Sequence, residues 1–145
     1  IGGYVDLANT TIEDNGGFIG VFVSEGVLQM DGGNAISQPD NSGPGDQTMF
    51  LSNATLNQFM DSGPDSVTGP GGTDDVAIAA FRHSNFQLWN MAVSRGAAGT
   101  AIELNHKSIG EFQGSTTVTG GVSCFGSHVE FIDNTGGGVD STSGC

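Results

Sequence analysis

The chain has 145 residues, enough for a single domain with its own core. Sixteen Asp and Glu stand against three Lys and Arg, a net charge of −13; no nucleic-acid partner is expected, because phosphate binding needs clustered cations, and anionic membranes are disfavoured for the same reason. Glycine, at 25 residues, favours tight turns over helices, and no apolar run approaches the ~18 residues of a membrane-crossing helix, so no membrane insertion is expected.

Along the chain an apolar residue recurs five positions after another across a short polar bridge: Leu7/Ile12, Phe22/Val27, Leu51/Leu56, Phe81/Phe86 and Leu104/Ile109. In the last four a third follows three further on, at Met30, Phe59, Trp89 and Phe112. The starts are separated by 15, 29, 30 and 23 residues, then by 21 to a looser copy at Phe125. The gap of 15 is too short for a full rung, so the first copy is expected not to be a true member of the repeat. A recurring unit of this size cannot bury its own apolar face and signals a stacked solenoid. The apolar pieces run three to five residues and show no 3.6 period, so they read as short strands.

Turn clusters close each unit: Asp31-Gly-Gly, Asp61-Ser-Gly, Gly114-Ser-Thr and Asp133-Asn-Thr-Gly-Gly. Gly and Asn supply the positive φ that sharp corners need. Three inward stacks are predicted. They are Phe22, Leu51, Phe81, Leu104; then Val27, Leu56, Phe86, Ile109; then Met30, Phe59, Trp89, Phe112. The expected whole is one domain over 1–145 with five or six rungs. Two segments, about 34–48 and 62–75, hold all four prolines and read as loop insertions on one side. The chain starts at Ile1 and no end cap is recognisable, so an excerpt of a longer chain, an oligomer, or both is expected.

Phe81 to Trp89, Leu104 to Phe112 and the Asp133-Asn-Thr-Gly-Gly ending resemble rungs of right-handed parallel β-helix proteins of the pectin-lyase-like class. The resemblance covers roughly Leu7 to Gly138. It implies an all-β solenoid in a secreted, cell-surface or virion protein, among polysaccharide-degrading enzymes, tailspikes and adhesins. A Gly-rich antiparallel sandwich or jelly roll is the competing fold, since short strands with turn signals suit it too.

Glu103, Glu111, His106 and Lys107 are the catalytic candidates. They fall in one unit, and Arg82 and His83 occupy the equivalent bend one unit earlier. An acid and a base in reach support lyase chemistry, in which Lys or Arg removes a proton α to a carboxylate; the same cluster suits binding of an acidic sugar. A hydrolytic pair needs carboxylates ~5–9.5 Å apart. The row after the third apolar position reads Asp31, Met60, Asn90, Gln113, Asp133 and brings no two acids together. Asp74 and Asp75 offer oxygen ligands of the kind Ca²⁺ takes, in no recognised calcium spacing; no other cofactor is expected. Trp89 is expected in the core. Cys124 and Cys145 either close a disulfide, which suits an oxidising extracellular setting, or stand as two thiols.

The reading that results is a non-enzymatic extracellular or virion surface module, a spike, adhesin or structural display element. It would bind a glycan or a partner protein through its loop-bearing side and self-associate, with a trimer in view. The competing reading is a polysaccharide lyase or glycoside hydrolase fragment using outward residues of neighbouring rungs.

Overall fold

A computed structural model describes residues 3–13, 17–38, 45–58, 63–132, 139–140 and 142–145. It is all-β, with three parallel sheets of six, five and six strands wound as a solenoid. The first sheet stacks β1 (Tyr4–Leu7), β4 (Val27–Met30), β7 (Thr55–Gln58), β10 (Asn85–Leu88), β13 (Ile109–Gln113) and β16 (His128–Ile132). The second stacks β2 (Thr11–Glu13), β5 (Ala35–Ser37), β8 (Asp65–Thr68), β11 (Met91–Ser94) and β14 (Thr117–Thr119). The third stacks β3 (Ile19–Ser24), β6 (Gln47–Ser52), β9 (Val76–Phe81), β12 (Thr100–Asn105), β15 (Val122–Phe125) and β17 (Thr142–Ser143). Every strand pair among the described residues is parallel, each strand joining its equivalent one turn away. The antiparallel sandwich is thereby ruled out.

The core follows from this register. On the first sheet the inward rows are Val5–Leu28–Leu56–Phe86–Gly110–Val129 and Leu7–Met30–Gln58–Leu88–Phe112. On the second the row is Ile12–Ile36–Val67–Val93–Val118–Val139. On the third the rows are Val21–Met49–Ile78–Ile102–Val122 and Val23–Leu51–Ala80–Leu104–Cys124. All of the predicted stacks are therefore real in part. Leu51, Leu104, Leu56, Phe86, Met30 and Phe112 are buried as expected. Phe22, Phe81, Val27 and Ile109 are one residue out of phase and face outward, because a one-residue slip reverses the side of a strand. Leu88 takes the inward place expected of Trp89, which is partly exposed. Gln58 takes the place expected of Phe59, which lies outside the described residues.

The repeat that the sequence displays spans the corner between the third and first sheets. The Leu7/Ile12 copy spans the next corner, between β1 and β2, which accounts for its short spacing. The supposed insertions contain β5 and β8 and so belong to the repeat; only the bends that follow these strands are lengthened. Among the turn clusters, Gly32, Gly33 and Gly114 have φ of 90°, 71° and 57°. Asp61, Met60 and the Asp133-Asn-Thr-Gly-Gly segment lie outside the described residues.

Asp65, Asn34 and Gln58 form a buried polar network. Asp65, 1% exposed, accepts at Oδ1 from Asn34 N at 2.8 Å and Asn34 Nδ2 at 2.9 Å, and at Oδ2 from Gln58 Nε2 at 2.6 Å. Gln58 in turn accepts from the backbone N–H of Trp89 at 3.0 Å and of Asn90 at 2.9 Å. This network ties three consecutive turns at the corner between the first and second sheets. Asp65→Ala would leave three buried donors unmade, so it is expected to cost about 3 kcal/mol or more in denaturant unfolding; a loss below about 1 kcal/mol would contradict the network.

Phe86 fits because its neighbour has no side chain. A Cβ on Gly110 would lie 2.5 Å from Phe86 Cζ and 2.6 Å from Cε2. Gly110→Ala is accordingly expected to destabilise by about 1–3 kcal/mol, and Phe86→Leu in the same chain to recover part of that loss. Additive losses in a double-mutant cycle would show that the two residues do not compete for space.

Candidate functional site

The outer face of the first sheet carries two rows of side chains. One is Asp6–Gln29–Asn57–Gln87–Glu111–Glu130; the other is Tyr4–Val27–Thr55–Asn85–Ile109–His128. Parallel pairing sets neighbours in each row about 4.8 Å apart. Gln29 is buried and donates to Asp31 Oδ1 at 3.2 Å, so the accessible amides are Asn57, Asn85 and Gln87, and an acid pair follows them. Thr55, Asn57, Asn85, Gln87, Ile109 and Glu111 line a concavity of about 290 Å³ on this face, with Phe86 at its floor.

Glu111 is held from two sides. Gln87 Nε2 donates to its Oε2 at 2.7 Å from the turn before, and Gln113 Nε2 donates to the same oxygen at 3.1 Å from its own strand. Gln113 is 5% exposed, so its amide is fixed by packing. The carboxylate is therefore oriented before any ligand arrives, and its other oxygen remains available as an acceptor. Glu130 pairs in register with Glu111 one turn on, and His128 Nε2 lies 3.4 Å from Glu130 Oε1. That contact is half-exposed and contributes little to stability. At the other end of the face, desolvation and then the charges of Asp6 and Asp31 raise the Tyr4 hydroxyl above its ordinary pKa.

The other predicted site residues are divided among different faces. Glu103 is on the outer face of the third sheet, where the Asn105 side-chain amide donates to its Oε1. His106 and Lys107 occupy the corner between the third and first sheets, with φ of 55° and 63°. Glu111 lies beyond that corner. The four catalytic candidates do not converge. The bend bearing Arg82 and His83 does stack on theirs, with His83 N donating to His106 O at 3.1 Å.

The corner is braced from inside. Ser84 Oγ donates to Phe81 O at 2.6 Å and Ser108 Oγ to Asn105 O at 2.8 Å. Ser84 Oγ accepts from Ala54 N at 3.2 Å, Ser108 Oγ from Ser84 N at 3.2 Å, and Ser127 Oγ from Ser108 N at 3.0 Å. This ladder braces five non-glycine residues at positive φ, Asn53, Arg82, His83, His106 and Lys107, each at a cost of about 1–2 kcal/mol; Glu25, on the bend before, is held by its N–H to Ser52 O at 3.1 Å.

Asp75 is 1% exposed and turned inward. Its carboxylate accepts backbone N–H groups of Gly45 at 3.1 Å, Asp46 at 3.0 Å and Gly72 at 2.7 Å, joining the two lengthened bends. That employment fits a structural clasp rather than a cation ligand. Asp74 beside it is exposed. Among the described residues no three His, Cys, Asp or Glu gather as a metal-ligand set. Cys124 and Cys145 form a disulfide that ties the chain end beside β17 to β15.

Sequence reasoning named Glu111 but missed Gln87, Gln113, Glu130 and His128. The signal was present in the polar alternation of Asn85-Phe-Gln-Leu and Ile109-Gly-Glu-Phe, but the apolar phase error hid which positions face out. Comparison with protein-family models, with curated proteins and with solved structures found no match to this chain.

Proposed function

We propose that this protein is a non-enzymatic surface module, extracellular or on a virion, that binds a glycan along the outer face of its first sheet. The observation that carries this is the polar concavity whose carboxylate, Glu111, is pre-set between Gln87 and Gln113. Sugars present dense hydroxyl donors and acceptors. A ladder of Asn, Gln and Thr repeating at strand spacing answers that pattern over several sugar units, with Ile109 as an apolar contact. The disulfide is in keeping with an oxidising compartment, and the acidic surface with a solvated outer environment. The lengthened bend 69–75 follows the second sheet, away from this face, so it serves the display of the module more than its contact with sugar.

A second reading, a glycoside hydrolase, draws on one arrangement. Glu111 and Glu130 are stacked on neighbouring turns, as the two carboxylates of such an enzyme would be. Both already have partners in Gln87, Gln113 and His128, which favours binding over turnover.

The test is titration calorimetry against a panel of neutral and acidic oligosaccharides, with the mixtures assayed for new reducing ends and unsaturated products. Binding without products is expected, and Glu111→Ala or Gln87→Ala should weaken it about tenfold, the loss of one or two hydrogen bonds. Products that disappear in Glu111→Gln would establish the hydrolase instead. No binding to any glycan, or binding indifferent to both substitutions, would overturn the assignment of this face.

A further inference from the structure

The outer face of the third sheet is rich in phenylalanine where the first is polar, with one acid on it, Glu103, which accepts from the Asn105 amide. Phe22 and Phe125 are each 60% exposed, and Phe18, just before β3, is 56% exposed. Phe50 and Phe81 join them, so five of the nine phenylalanines lie on or beside this face. Ring centroids step from Phe22 to Phe50 at 5.5 Å, to Phe81 at 5.2 Å and to His106 at 5.8 Å. Phe50 and Phe81 are tilted by only 26°. Two rings lying flat side by side could not bring their centroids so close, so these overlap in part face to face, and the rings together form a continuous ridge. Contiguous exposed apolar surface of this kind marks a contact between macromolecules.

Charge selects the partner. Two copies of a chain at −13 repel, so contact between them has to use the least negative surface. The corner beside the ridge carries exposed Arg82 and Lys107, two of the chain's three Lys and Arg, with His83 and His106; Glu25 is the one acid on its bends. Neither Arg82 nor Lys107 has an ion-pair partner among the described residues. The opposite corner of the same face, between the second and third sheets, exposes Asp74 and Asp140, with Arg95 between them. The open mouth at the β1 end, about 530 Å³ and lined by Val5, Leu7, Ile12, Val21 and Val23, is the other apolar surface. Its edge strands carry Asp6 and Glu13, which would oppose the same acids of a copy docked end to end.

We infer that this chain associates with itself through the third-sheet face. The Arg82/Lys107 corner and the phenylalanine ridge of one copy seat against the Asp74/Asp140 corner of the next. Both corners border the same face, so a two-fold contact can set Arg82 and Lys107 of each copy against Asp74 and Asp140 of the other. The contact leaves the first-sheet face free and stands independently of the glycan reading.

Sedimentation and native mass measurement over a concentration series test it. The unaltered chain is expected to form an oligomer at low salt. Arg82→Glu with Lys107→Glu, or Asp74→Lys with Asp140→Lys, should each weaken assembly about tenfold or more, and the four reversals together should restore it to within a few-fold. Phe125→Ser should weaken assembly while circular dichroism and melting stay unchanged, which separates lost contact from lost folding. A monomer at every concentration would overturn the inference. So would an oligomer that ignores all these changes and is lost in Val5→Asp, which would place the contact at the mouth.

Discussion

Parallel backbone pairing sets each residue about 4.8 Å from its counterpart one turn earlier, with the same face turned inward. Every inward position must therefore tolerate its neighbours in a continuous stack, and every outward position repeats along the axis. The aliphatic row from Ile12 to Val139 meets the demand with like residues. The Phe86 row meets it by placing Gly110 beneath the ring. Where a polar residue enters the stack, as Gln58 does, a buried network with Asp65 and Asn34 has to satisfy it. The corner at positive φ obeys the same rule: its strain is tolerable because buried serine hydroxyls brace each bend against the next.

The same constraint gives the outer faces their separate characters. A side chain repeated at strand spacing becomes a ladder, so the first sheet presents amides and acids and the third presents phenylalanine. These faces carry different chemistry. Amides and a pre-oriented carboxylate suit a hydroxylated ligand, while phenylalanine rings beside Arg82 and Lys107 suit an acidic protein surface. The four residues that chain proximity brought together as a catalytic set are divided between these faces and the corner that joins them. Glu103 and Glu111 are eight positions apart in sequence, yet the corner at His106 and Lys107 sends them to different faces.

Much of the scaffold was legible. The five-residue spacing marks the corner between the third and first sheets, and Leu51, Leu56, Phe86, Leu104 and Phe112 were recognisable as core from it. The phase at Phe22 and Phe81 was not legible, for a physical reason. Strand phase is read from alternation, and an outer face made of phenylalanine removes the alternation. The strands β5 and β8 were hidden in Pro- and Gly-rich surroundings that read as loops. The site was half legible: Glu111 stood out as an acid, but its partners Gln87 and Gln113 become visible only when register sets strands 24 residues apart side by side.

The central claim is that two faces of one solenoid do two different jobs, and hydroxyl-radical footprinting of side chains reads both at once. Raising the protein concentration alone should protect Phe81, Phe125 and His106 and leave Ile109 and His128 reactive. Adding a glycan that binds should protect Ile109 and leave the phenylalanine ridge unchanged. A single set of residues protected under both conditions, or protection by glycan along the ridge, would contradict the account.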